Sequence, residues 1–242
     1  MKTMKAGLLC LAMCAAIAPN AAAQMTWTDK GFVNVSFGGQ AGSSSLTTST
    51  PFEIYDETGS VASSQDVGGG GFFDVSAGYK VWENLAVGLG FTHTGSNSNA
   101  DITASVPSPD VFGQLRQVSA SATDLKHSEN VIHFIGTWMV PVTDKVDVGV
   151  SAGPSIFRVK QALPSGVSVS EPGPTVSSVS VSDVNSTSVG INLGVDVTYL
   201  LTKRWGVGGL ARYTWGSSDL EGASDNVTAG GFQIGGGVRM RF

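Results

Sequence analysis

Val227 to Phe242, VTAGGFQIGGGVRMRF, is the stretch whose reading decides the fold. Every second residue backward from the end gives Phe242, Met240, Val238, Ile234 and Phe232, with Gly236 as a gap in the row. The intervening positions hold Arg241, Arg239, Gly237, Gly235, Gln233 and Gly231. Side chains of a strand point alternately to opposite sides, so one face is apolar and the other polar or empty. A water-soluble sheet with one face in a core would read the same way. The distinction comes from recurrence of this pattern behind an export signal, which points to a barrel that is apolar outside and polar inside.

Met1–Ala23 reads as that signal. Lys2 and Lys5 form a positive start, Ala6–Ala18 is too short to span a bilayer, and Ala21-Ala22-Ala23 offers a small-residue cleavage site. Both cysteines, Cys10 and Cys14, lie within it. Without Lys2 and Lys5, 12 basic residues remain against 19 acidic ones, a net charge of −7. No basic stripe suited to nucleic acid is present. No later apolar run is long enough for a transmembrane helix. The segment 24–242 is read as one domain.

Eight stretches pass the two-residue test. They are Gly31–Gly39, Gly71–Trp82, Leu85–Ser96, Glu129–Val142, a stretch from Val146, the run around Val189–Leu201, Trp205–Asp219, and the terminal stretch. The fifth loses its phase near Ile156-Phe157, read as a bulge or a membrane exit. Connections alternate between short turns (Glu83-Asn84, Thr143-Asp144-Lys145, Thr202-Lys203-Arg204) and longer polar segments at about 40–70, 97–128, 164–186 and 220–226. Short turns on one side and long loops on the other is how bacterial outer-membrane barrels face periplasm and exterior. The prediction is all-β: a closed, antiparallel, eight-stranded up-and-down transmembrane barrel in the outer membrane, with both termini periplasmic. An even, closed set of strands satisfies every backbone group in hydrocarbon.

Aromatic residues sort by height. Trp82, Tyr199, Trp205 and Phe242 fall near the turns, and Phe73, Phe91, Trp215 and Phe232 near the loops, as two interfacial girdles would. The chain resembles the small eight-stranded outer-membrane barrels of the OmpA-type and OmpW-type superfamily, over its barrel domain only. The most specific residues are Gly235-Gly236-Gly237-Val238-Arg239-Met240-Arg241-Phe242. Phe242, Met240 and Val238 resemble the terminal signal read by the barrel-assembly machinery of such proteins. The resemblance implies outer-membrane lipid and lipopolysaccharide as surroundings, with a monomer expected. The OmpW-type likeness also implies a conduit for small or apolar solutes.

A lumen of eight strands is just wide enough for side chains to fill it. The inward positions carry Asp74, Lys80, Asp147, Asp196, Arg212, Arg239 and Arg241, which survive at that depth only when paired or hydrated. Arg239 and Arg241 are expected to pair with Asp147 and Asp196, with Lys80 alongside. His127-Ser128-Glu129 is the tempting catalytic run, but neighbours on a strand face opposite ways and cannot form a triad. Neither His93 nor His133 has a fitting Ser–acid pattern in the sequence. No catalytic, cofactor or metal residues are assigned. In the third long segment, valines alternating with serines around Glu171-Pro172-Gly173-Pro174 suggest a projecting hairpin. The expected function is a non-enzymatic structural or surface-interaction role carried by the loops. A narrow channel is the alternative and a lipid-modifying enzyme the third reading.

Overall fold

A computed structural model describes residues 26–171, 174–218 and 227–242. The export signal, Pro172-Gly173 and the connection at 220–226 lie outside the described residues. Ten strands follow in chain order: β1 Gly31–Ala41, β2 Ser43–Ile54, β3 Glu57–Gly68, β4 Gly71–Trp82, β5 Leu85–Pro107, β6 Leu115–Thr143, β7 Val146–Ser170, β8 Thr175–Leu200, β9 Trp205–Ser218 and β10 Val227–Arg241.

Eight of them close a ring. β1 pairs with β4, and antiparallel neighbours then run β4, β5, β6, β7, β8, β9 and β10. β10 returns to β1 with Val33 opposite Met240 and Val35 opposite Val238. The chain ends are clasped as well, since Lys30 N and Gly31 N both donate to the Phe242 carbonyl, at 2.6 and 3.0 Å. Closure leaves no sheet edge at this height, the condition for a sheet in hydrocarbon. The alternation is obeyed throughout the ring: Phe134 and Trp138 face outward at 45% and 38% exposure, while His133 and Thr137 are buried inside. A row of cross-strand neighbours, Phe91, Ile132, Ile156 and Val189, marks the upper rim of the apolar belt on β5 to β8.

The long connections expected at about 40–70, 97–128 and 164–186 are strands. β2 and β3 form a hairpin inserted between β1 and β4, turning at Tyr55-Asp56, both with positive φ. β5–β6 and β7–β8 continue upward as two more hairpins. The reason lies in a polarity exchange that keeps the period of two. On β5, Val87, Leu89 and Phe91 are exposed below, whereas Ala100, Ile102, Ala104 and Val106 are buried above. Below the rim the outside is apolar; above it the inside is. The same exchange explains β7 at Ile156-Phe157. Its pairing with β8 runs through that point without a shift, so there is no bulge; Ile156 faces out, while Phe157 and Val159 face in.

The three hairpins form a crown with its own core, built from Val61, Ile102, Val106, Val118, Leu125 and Val167 among others, with Phe52 and Ile54 packed against it. Their tips are tied together. The Arg116 guanidinium holds Glu171 through bonds of 2.5 and 2.9 Å, Tyr55 donates its hydroxyl to the same carboxylate at 3.4 Å, and Gly113 N donates to Glu57 at 2.9 Å.

Candidate functional site

Inward side chains of the ring meet in three polar tiers. At the turn end, Arg239 forks onto Asp196 through bonds of 2.9 and 2.6 Å and adds Ser36 at 3.0 Å. Arg241 donates to Asn34 and Thr198 at 3.0 and 2.6 Å, with the Asp147 carboxylate 3.7 Å away. Lys80 does not join them. It donates to the Trp27 carbonyl and lies 5.9 Å from the Trp27 ring centre. The expectation of Lys80 beside the arginines fails because residues 26–30 enter the mouth of the barrel. There Trp27 is 2% exposed and packs with Phe32, Ala86 and Met139.

The middle tier is a chain of hydrogen bonds across the lumen. Arg212 donates to Asp74 at 2.7 Å and to Thr92 at 3.1 Å, and Thr92 donates to Asp74 at 2.7 Å. With the Thr92 proton committed to Asp74, its oxygen accepts from His133 Nε2 at 2.9 Å. His133 Nδ1 is then the acceptor for the Ser155 hydroxyl at 2.8 Å, and Asn192 donates to Ser155 at 2.8 Å. Ser155 stands directly opposite His133 across the short turn at 143–145, a pairing that the turn spacing marks, and Asp74 joins only through Thr92, its own cross-strand partner. The order of donors resembles a nucleophile, base and acid with a threonine interposed. Yet His133 and Ser155 are both 0% exposed, and neither lines the cavity.

The upper tier contains Gln233, Gln40, Glu129, His127 and Gln161. Gln40 donates to Glu129 at 3.1 Å and Gly230 N approaches both Glu129 oxygens at 3.2 and 3.3 Å. Gln161 gives its amide protons to the Ala162 carbonyl, so its oxygen accepts from His127 Nδ1 at 2.7 Å. His127 and Glu129 share the inner face, 3.2 Å apart, and Ser128 between them faces the wall. Phe157 fills the space beside this tier, its ring within 2.9 Å of where a Gly216 Cβ would stand. Between the lower and middle tiers a cavity of about 30 Å³ remains, lined by Asn34, Ser36, Thr137, Asp196 and Arg212. That is room for a water molecule and little more.

The aromatics singled out in the sequence all stand outside. Trp82 is 63% exposed, Tyr199 47%, Trp205 52% and Phe242 49% at the turn end; Phe73, Phe91, Trp215 and Phe232 line the opposite rim at 36–51%. Val238 faces out with them, and Met240 is half-buried on the same face.

No protein-family model matches the chain, and no curated protein matches it significantly. Solved structures do. The outer membrane protease OmpT from Escherichia coli superposes with a TM-score of 0.50 at 11% identity, covering 92% of this chain and 100% of that one. Neisserial surface protein A gives a TM-score of 0.44 at 15% identity, over 87% and 97%. OprG from Pseudomonas aeruginosa gives 0.40 at 9%, over 88% and 96%. At such identities the likeness is one of fold: this chain folds as an outer-membrane β-barrel.

Proposed function

We propose that the chain is a non-enzymatic, non-conducting outer-membrane protein whose barrel anchors the crown at the cell exterior, with both termini in the periplasm. The crown is the part that meets other molecules. The observation that carries this reading is the division of the molecule into a lumen filled by three hydrogen-bonded tiers and a crown with its own apolar core. Below a recess of about 270 Å³ that borders His127 and Glu129 of the upper tier, the lumen narrows to a water-sized void and offers a solute no through path. The Ser155–His133 pair has no space beside it for a substrate. A rigid platform of paired hairpins, by contrast, is where binding residues concentrate.

The apolar belt fits the hydrocarbon core, and the crown's inside-out polarity fits water. Two measurements test the reading. Purified, refolded protein in a planar bilayer should produce no conductance steps, and regular openings would overturn the sealed lumen. In intact cells, an impermeant maleimide should label Gln117→Cys in the crown and leave Lys203→Cys at a short turn unlabelled. The reverse pattern would overturn the orientation.

A further inference from the structure

The basic residues of this acidic chain are unevenly placed. Lys80, Arg212, Arg239 and Arg241 face the lumen, and Arg116 is held by Glu171. On the outer wall just above the apolar rim, the basic side chains among the described residues are Lys126, Arg158 and Lys160, all exposed. The register brings them together. Arg158 lies opposite Asn130, and Lys160, two residues on, lies opposite Ser128. Lys126 is two residues from Ser128 on the same strand face, so it is the diagonal neighbour of Lys160. Ile132 and Ile156, the cross-strand pair of the rim, stand directly below, at 46% and 40% exposure.

Above this point β6 and β7 part, since their pairing ends at His127 opposite Gln161. The parting leaves a recess of about 560 Å³ bordered by Asn97, Lys126, Ser128, Lys160 and Asp183. The carboxylate at hand is Asp183, 2.7 Å from Lys160 in a pair about half exposed on both sides. Such a pair contributes little and exchanges readily for a stronger anion. Among the described residues, no carboxylate lies within 4.0 Å of Lys126 or Arg158. Asn130 accepts from His93 Nδ1 at 2.9 Å when that nitrogen carries the proton, which leaves the Asn130 amide NH₂ free to donate.

We propose that Lys126, Arg158 and Lys160 form a site for the phosphate of an acylated outer-leaflet lipid, with the acyl chains running down over Ile132 and Ile156. Arginine's planar fork and two mobile ammonium groups suit a phosphate monoester, and Asn130 and Ser128 add neutral donors. The lipid source follows from continuity with the apolar rim: a phosphate held here has its own hydrocarbon at the height of the belt. The site rests on the exterior orientation proposed above.

The test uses the full processed chain refolded into phosphatidylcholine nanodiscs containing either lipid A with its two phosphates or enzymatically dephosphorylated lipid A. Lipid retained after detergent extraction is counted by native mass spectrometry. The parent should retain the phosphorylated form at least about tenfold better, as several charge-assisted bonds warrant. The Lys126→Gln/Arg158→Gln/Lys160→Gln variant should lose that preference while keeping its heat-modifiable gel migration. A Lys203→Gln/Arg204→Gln control should keep the preference. No preference in the parent, or an unchanged preference in the triple variant, would overturn the site. Displacement of the lipid by millimolar inorganic phosphate would also overturn it, in favour of a free-anion site. Failure of the maleimide orientation test sinks the exterior reading itself; correct labelling with no lipid preference sinks the site alone.

Discussion

Arg239 is 0% exposed and held by both oxygens of Asp196, so the pair sits where an unmatched charge is expensive. Breaking one buried pair typically costs about 3–5 kcal/mol. Asp196 is 18% exposed and borders the water-sized cavity, which reduces the penalty here. Asp196→Ala should still destabilise the barrel clearly more than Val195→Ala one position away. Val195 faces lipid, and truncating it exchanges side-chain contacts for acyl-chain contacts. Urea unfolding in vesicles, followed by gel mobility, compares the two, and equal midpoints would contradict the pairing. Gly190 shows the complementary constraint. A Cβ there would stand 2.7 Å from the Phe157 ring, so the absent side chain is what lets Phe157 enter the lumen.

Among the elements, the β2–β3 hairpin is an insertion that the ring does not need. β1 and β4 already pair directly, Gly31 opposite Tyr79 through Gly39 opposite Gly71. Replacing residues 43–68 with a short turn should leave insertion and heat-modifiable migration intact. The crown loses Leu46 and Val61 from its buried clusters and should become sensitive to protease. A deletion variant that fails to insert would show the crown to be part of barrel folding.

The hairpin tips have a pH signature. The hydrogen bond from the Arg116 guanidinium holds the Glu171 carboxyl below the usual carboxylate range. A depressed carboxylate stabilises the tip above its unfolded pKa, and the contribution is lost as pH falls through the lower, folded value. Amide exchange around Tyr55, Gly113 and Glu171 should therefore quicken below about pH 4, relative to a Glu171→Gln variant that lacks the transition. Identical acid profiles for parent and variant would rule this tie out.

Across the whole molecule, closure and insertion are separate matters. The Phe242 backbone joins β10 to Lys30 and Gly31, while its ring lies exposed on the outer face. Deleting Phe242 should lower outer-membrane levels in cells, yet leave refolding in detergent largely intact, because the ladder from Phe32 opposite Arg241 upward survives. Equal cellular levels would remove the terminal residue from the assembly signal. The conductance test belongs at this scale too, since all three tiers must give way before any path opens.

The sequence by itself determined the number of ring strands, their turns, and which side chains face in. Side-chain direction follows from a period of two, so Val195 out and Asp196 in could be read from neighbours alone. It also determined the height of the apolar belt, because lipid and water sort residues one at a time. Only the tertiary structure decided which inward groups touch. Arg212 reaches Asp74, and Gln40 reaches Glu129, across the lumen from strands that are not neighbours and lie far apart in the chain, a meeting that alternation leaves open. Trp27 belongs to no strand, so no periodicity marked it as a plug. The crown was hidden for a further reason. Above the rim the apolar face turns inward on serine- and alanine-rich strands whose contrast is too faint to register until three hairpins share one core.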